Sequence, residues 1–300
     1  MLKRFLSFIE IRTKLASVMP FILGVAYAGF AFGQINLLNT LLFFGSMLLF
    51  DMTTTGLNNY MDTKKNGAPL QFSLPAARLI LLLMLLLATV CGLLLVWQAG
   101  LVVLAFGAAC FLVGILYTAG PAPIAHMPLG EIFSGLFMGF CIPFLTVYVN
   151  APPASLIDYV WNGQILGLNF NIVNLFSLAV LTIAPICGIA NIMLANNICD
   201  LEYDVSIKRF TLPYYIGRKK ALWLFAGLNA ISLASVLALA ILQILPLYVL
   251  AALPFYIPIW INVRKFFKIQ DKKQTFPLSV QNFLLQIVPL ILVVVIAALT

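Results

Sequence analysis

Charge is scarce in this chain: Asp, Glu, Lys and Arg make up 9% of its 300 residues, while 63% are hydrophobic. A soluble domain needs a charged surface, so this scarcity excludes one and points to a polytopic membrane protein. Histidine occurs once, at His126. The five cysteines (Cys91, Cys110, Cys141, Cys187 and Cys199) are scattered singly, and no pair has metal-ligand spacing. They read as small packing residues.

What is plentiful is apolar sequence. Runs at roughly 16–32, 36–57, 79–97, 101–117, 132–149, 176–195, 221–242, 246–263 and 278–299 are each long enough to cross a bilayer as a helix. The expected fold is all-α, a single domain over 1–300 with nine transmembrane helices. Lys3, Arg4, Arg12 and Lys14 precede the first run; Lys64, Lys65 and Arg78 lie between the second and third. Lys208, Arg209, Arg218, Lys219 and Lys220 lie between the sixth and seventh, and Arg264, Lys265, Lys268, Lys272 and Lys273 between the eighth and ninth. These are all 17 basic residues, and all fall on one side. The positive-inside rule makes that side, and the N-terminus, cytoplasmic in the cell membrane. The net charge of +8 therefore reads as topology beside anionic headgroups, and no nucleic acid is expected as a partner. Lys3, Arg4 and the apolar run through Ala26, Tyr27 and Ala28 faintly resemble a secretory signal. Arg12 and Lys14 make its basic region too long, so an interfacial helix and a retained first span are expected.

Two polar runs stand out against this background. Asn58-Asn59-x-x-Asp62 and Asn196-Asn197-x-x-Asp200 share one pattern, each at the cytoplasmic end of an apolar run. Their spacing of 138 positions is consistent with an ancient duplication, with halves of about 1–150 and 151–300. On a helix, Asn58, Asp62 and Asn66 form one stripe at i, i+4 and i+8, and Asn196, Asp200 and Asp204 form another. Carboxylate and amide oxygens are hard ligands suited to Mg²⁺, which takes one or two carboxylates and completes its shell with water and phosphate. Asp62, Asn58, Asn66, Asp200 and Asp204 are therefore candidate metal ligands, and a bridged diphosphate is the expected anion. Lys208, Arg209, Lys64 and Lys65, with Asn58 and Asn196, are candidates to bind it. A single D-x-x-x-D at a helix end is usually a solvated cap; two stripes on one side, both led by Asn-Asn, weigh against that reading. Asp51 lies inside the second run on the face of 55, 58 and 62. It either points to the same cavity or is neutral and hydrogen-bonded beside Thr53–Thr55.

These runs resemble the UbiA superfamily of intramembrane aromatic prenyltransferases, whose Asp-rich motifs are typically N-D-x-x-D-x-x-x-D and D-x-x-x-D. Tyr117 to Pro121 followed by Pro128 to Glu131, and Lys208, Arg209, Thr211 and Leu212 followed by Gly217, Arg218 and Lys219, are similar to the menaquinone branch. The family usually has Asp where this chain has Asn59, and often an acidic or Gly residue near Asn66. The resemblance implies Mg²⁺-dependent transfer of a polyprenyl group from polyprenyl diphosphate to an aromatic acceptor. The acceptor would be 1,4-dihydroxy-2-naphthoate and the product demethylmenaquinone. Asp62, Asp200 and Asp204 would be catalytic, at the cytoplasmic helix ends, with the prenyl tail entering from the membrane lipid. Tyr117, or else Tyr60 or Tyr203, would face the allylic cation. His126 and Glu131 would belong to an acceptor loop at 118–131, stiffened by Pro121, Pro123 and Pro128 into a lid. Other readings are another acceptor (4-hydroxybenzoate, haem or a tetrapyrrole alcohol), a non-catalytic isoprenoid-binding protein, and a transporter.

Overall fold

A computed structural model describes residues 1–119 and 123–300 and, for Lys65 and Asn66, the backbone alone. Gly120, Pro121 and Ala122, part of the expected lid, lie outside the described residues. Helix α1 (Leu2–Phe8) leads through a 3-10 turn (Ile11–Lys14) into α2 (Leu15–Phe32), α3 (Leu37–Asn66), α4 (Leu74–Ala99) and α5 (Leu101–Thr118). A 3-10 turn (Ile124–His126) precedes α6 (Gly130–Leu136), a π-helical turn (Phe137–Cys141) and α7 (Ile142–Tyr148). Strands β1 (Ile157–Trp161) and β2 (Leu166–Phe170) follow, then α8 (Ile172–Cys199), α9 (Leu201–Ser206), α10 (Leu212–Ile216) and α11 (Arg218–Ile241). A 3-10 stretch (Leu247–Phe255), α12 (Tyr256–Lys268) and α13 (Phe276–Leu299) complete the chain.

Among the described residues, nine stretches are long and apolar enough to cross a membrane. They fall on the nine apolar runs, with ends displaced by a few residues. The sixth, for example, covers Ile172–Cys199 where the sequence indicates 176–195. The helical fold carries one addition. Between α7 and α8, β1 and β2 pair antiparallel, with Ile157 opposite Phe170. The β-branched and aromatic residues of β1, Ile157, Tyr159, Val160 and Trp161, favour the strand. The turn closes on Asn162, whose Oδ1 accepts the N–H groups of Gln164 (3.1 Å) and Ile165 (2.8 Å) beside Gly163 at φ +92°.

The chain packs as two compact units, Met1–Val18 with Leu37–His126, and Met19–Asn36 with Met127–Thr300. In the first, Phe8 of α1 is fully buried with Ala77, Leu81 and Met84. It lies over Gly56 of α3, where a Cβ would come within 2.9 Å of its ring. Helices α3 and α4 approach through small residues, and Ser46 Oγ donates to the Ala88 carbonyl (2.8 Å).

Lys14 departs from its expected place among headgroup-facing cations. It is 3% exposed, and its Nζ donates to Asp51 Oδ1 (2.7 Å), the Asp51 carbonyl (3.1 Å) and Thr55 Oγ1 (2.6 Å). Ser17 Oγ donates to Asp51 Oδ2 (2.6 Å). Asp51 is thus one partner of an ion pair rather than a neutral acid satisfied by its neighbouring threonines. All three ammonium protons have acceptors, as a charge inside an apolar helix packing requires.

In the second unit α8 packs against α6, α11 and α13. Buried amides link these helices. Gln286 donates to Asn229 Oδ1 (2.8 Å), and Asn229 (2.8 Å) and Asn191 (3.1 Å) both donate to the Phe225 carbonyl. Backbone approaches backbone closely at the π-helical turn, where a Cβ on Gly139 would stand 2.6 Å from the Ile186 N and Cα. Backbone cannot yield as a side-chain tip can, so Gly139→Ala is expected to destabilise by about 2 kcal/mol through overpacking. A lowered detergent-solubilised melting temperature would record it, and an unchanged one would contradict the packing account.

Candidate diphosphate and acceptor site

The first polar run lies in the first unit. Helix α3 continues unbroken to Asn66, so Asn58, Asp62 and Asn66 lie along one stripe of it. Asn58 is exposed and Asp62 half-buried, and Asn58 Nδ2 approaches Asp62 Oδ2 weakly at 3.5 Å. Asn59 turns away from the stripe. Its Nδ2 donates to the Phe8 carbonyl (2.9 Å), tying α3 to α1. Lys64 is exposed; the side chains of Lys65 and Asn66, both expected site residues, lie outside the described ones. Tyr60 packs against the Phe8 cluster, which gives it a structural role. Tyr117 is half-buried in the last turn of α5, and His126 is half-buried where the Ile124–His126 turn closes through its N–H to the Pro123 carbonyl (2.9 Å).

The second run lies in the second unit and differs from the expected single helix. Helix α8 ends at Cys199, and α9 starts after Asp200, which has φ −95° and ψ 5°. The register survives the break, because the Asp200 N–H bonds the Asn196 carbonyl (3.0 Å) and the Asp204 N–H the Asp200 carbonyl (2.8 Å). Asn196, Asp200 and Asp204 therefore still form a stripe. Lys208, exposed and left-handed at φ 60°, ends α9 and reverses the chain. The Arg209 N–H then bonds the Asp204 carbonyl (2.8 Å), and its Nε stands 3.7 Å from Asp204 Oδ1. Asp204 is 2% exposed, and its Oδ2 is buried without a hydrogen-bond partner among the described residues. Burial pushes its pKa up, the Arg209 guanidinium opposes that shift, and the Asp200 charge adds to it.

Lys272 was not distinguishable in sequence from its basic neighbours. It sits on a turn fixed by Asp271, whose Oδ1 accepts the N–H groups of Lys273 (2.9 Å) and Gln274 (2.7 Å). Its Nζ donates to both Asn196 Oδ1 and Asp200 Oδ2 and lies 5.0 Å from the centre of the Phe276 ring. Arg218, part of the tail resembling the menaquinone branch, is paired with Glu202 through Nη2 at 2.6 and 2.8 Å. Tyr203 is 61% exposed.

Glu131 corrects the expectation of an acceptor loop reaching that far. It lies in the first turn of α6 and is 4% exposed. Asn197 Nδ2 donates to its Oε1 (2.8 Å), while Oε2 is buried without a partner among the described residues. The two asparagines of the second run thus face different partners, Asn196 the Lys272 ammonium and Asn197 the Glu131 carboxyl.

Among the described residues no three His, Cys, Asp or Glu side chains gather as a metal cage. The oxygen donors do fit a cation held by one or two carboxylates and otherwise by water and phosphate, and the unpartnered Asp204 Oδ2 is a free hard ligand for one.

The sequence profile of the UbiA prenyltransferase family matches residues 17–287. The chain belongs to that family. This UbiA protein is accordingly a prenyltransferase and a multi-pass membrane protein. The 1,4-dihydroxy-2-naphthoate octaprenyltransferase of Bacillus subtilis (strain 168) is 27% identical to it over 233 residues, covering 73% of this chain and 68% of the relative. The enzyme of that name from Mycobacterium tuberculosis is 27% identical over 148 residues, 49% of this chain and 44% of the relative. Among solved structures, a UbiA homologue from Archaeoglobus fulgidus bound to GPP and Mg²⁺ superposes with a TM-score of 0.69. That match covers 99% of this chain and 100% of the homologue at 11% identity, and it shows a shared UbiA fold.

Proposed function

We propose that this UbiA prenyltransferase moves a polyprenyl group from polyprenyl diphosphate to 1,4-dihydroxy-2-naphthoate, giving demethylmenaquinone, at the cytoplasmic face of the cell membrane. The observation that carries the diphosphate half is the second motif. There two aspartates at a helix end meet Lys272 and Arg209, and one buried carboxylate oxygen is left over. The GPP and Mg²⁺ of the Archaeoglobus homologue support the same half. The naphthoate half is supported by the name shared by the two curated relatives.

In this reading the first motif would offer Asp62, Asn58 and Asn66 as Mg²⁺ ligands, and the second Asp200 and Asp204. Bound there, Mg²⁺ would act as a Lewis acid and make diphosphate a better leaving group. Lys64, Lys65, Lys208, Arg209, Asn58 and Asn196 bind the diphosphate oxygens. The prenyl tail lies in the membrane, whose exclusion of water protects the allylic cation from quenching. Tyr117 turns its ring face to that cation. On the acceptor side, His126 acts as base, and the unpartnered Glu131 Oε2 suits a ring hydroxyl, because a buried acceptor without a donor is costly until one arrives.

Purified protein in nanodiscs, given Mg²⁺ and geranylgeranyl diphosphate, should prenylate 1,4-dihydroxy-2-naphthoate and lose that activity in EDTA. Product from 4-hydroxybenzoate alone would reassign the acceptor. No product from either, with no binding of the diphosphate, would sink the proposal.

A further inference from the structure

Each aspartate of the second motif has a cation of the chain itself beside it. Arg209 stands beside Asp204 at 3.7 Å, and Lys272 bonds Asp200 and Asn196 together. The two cations are held differently. Arg209 is 24% exposed at its side chain, and its backbone N–H is tied to the Asp204 carbonyl. Lys272 is 44% exposed at its side chain, and its ammonium ends a flexible four-carbon stem on an anchored turn. A divalent ion at Asp200 would compete with that ammonium for the same oxygens, and the two like charges would repel. A diphosphate reverses the balance, since its oxygens offer the ammonium new partners as the metal takes Asp200.

We propose that Lys272 is an exchangeable internal cation. It keeps a divalent ion off Asp200 until diphosphate arrives and then moves onto the diphosphate, so metal and prenyl diphosphate are taken up together. This rests on the reading that the second motif receives both. Lys272 is then a diphosphate-binding residue absent from the set read from sequence.

The test is Mn²⁺ binding, followed by electron paramagnetic resonance, to the full chain in nanodiscs with and without geranylgeranyl diphosphate. Lys272→Gln should bind Mn²⁺ alone about fivefold more tightly than wild type, the scale of a part-exposed ion pair. The same variant should bind geranylgeranyl diphosphate in Mn²⁺ about fivefold more weakly, since it lacks the cation that would follow. Lys272→Arg keeps the charge and should leave Mn²⁺ alone as weakly bound as in wild type. Lys273→Gln, removing an equal charge one residue away, should change neither value. Equal or weaker Mn²⁺ affinity in Lys272→Gln overturns the proposal, as does an equal effect of Lys273→Gln. Wild-type Mn²⁺ and diphosphate binding by Asp200→Asn would instead overturn the reading beneath it.

Discussion

Asp200→Ala is expected to lower kcat/KM for prenyl transfer by at least about a hundredfold, the usual scale for removing a group that stabilises developing charge. Asp62→Ala should do the same, because Asp62 is the carboxylate of the first stripe. The losses should come without unfolding. Asp200 and Lys272 are 27% and 44% exposed at their side chains, so their ion pair contributes about 0–1 kcal/mol to stability. Steady-state assays and detergent melts on the same preparations separate the two effects. Transfer within a few-fold of wild type in either variant would remove that aspartate from the site. A large fall in melting temperature would make it structural.

Lys14→Met should produce the opposite pattern, with a stability loss of about 3–5 kcal/mol from leaving Asp51 charged and unpaired in an apolar packing. The two ion pairs differ chiefly in burial, since Lys14 is 4% and Asp51 17% exposed at the side chain. Removing both charges together, as Lys14→Met with Asp51→Leu, should recover most of the loss, because the desolvation penalty leaves with the pair. Chemical or thermal unfolding of the two variants and the double variant measures this directly. A double variant no more stable than Lys14→Met would show that the carboxylate has a role beyond answering the lysine.

The elements most legible in the sequence are those the bilayer dictates. A span must be long, apolar and helical, so the nine stretches could be read from composition alone. The two stripes were legible for the complementary reason, since polar residues at regular helical spacing are conspicuous in an apolar chain. Partnerships were not. Lys272 meets Asp200 across 72 positions, Asn197 meets Glu131 across 66, and Asn59 meets the Phe8 carbonyl across 51. No local rule selects one lysine from the five cations between the last two spans, and only the packed turn around Asp271 does so. The break at Asp200 was also hidden, because nothing in its flanking residues forbids a continuous helix and both backbone bonds that define the stripe persist through it. The hairpin has a signal in Asn162 and Gly163, a turn dipeptide between strand-forming residues, short beside nine long helical runs.

The bond from Asn59 to the Phe8 carbonyl constrains which residue can stand at position 59. An aspartate would set carboxylate oxygen against carbonyl oxygen where a donor now stands, and the Phe8 ring over Gly56 leaves α1 little freedom to retreat. Residue 59 and the docking of α1 should therefore covary. A lineage could exchange asparagine for aspartate there only by re-seating its N-terminal helix, and grafting that helix between homologues would carry the identity of residue 59 with it.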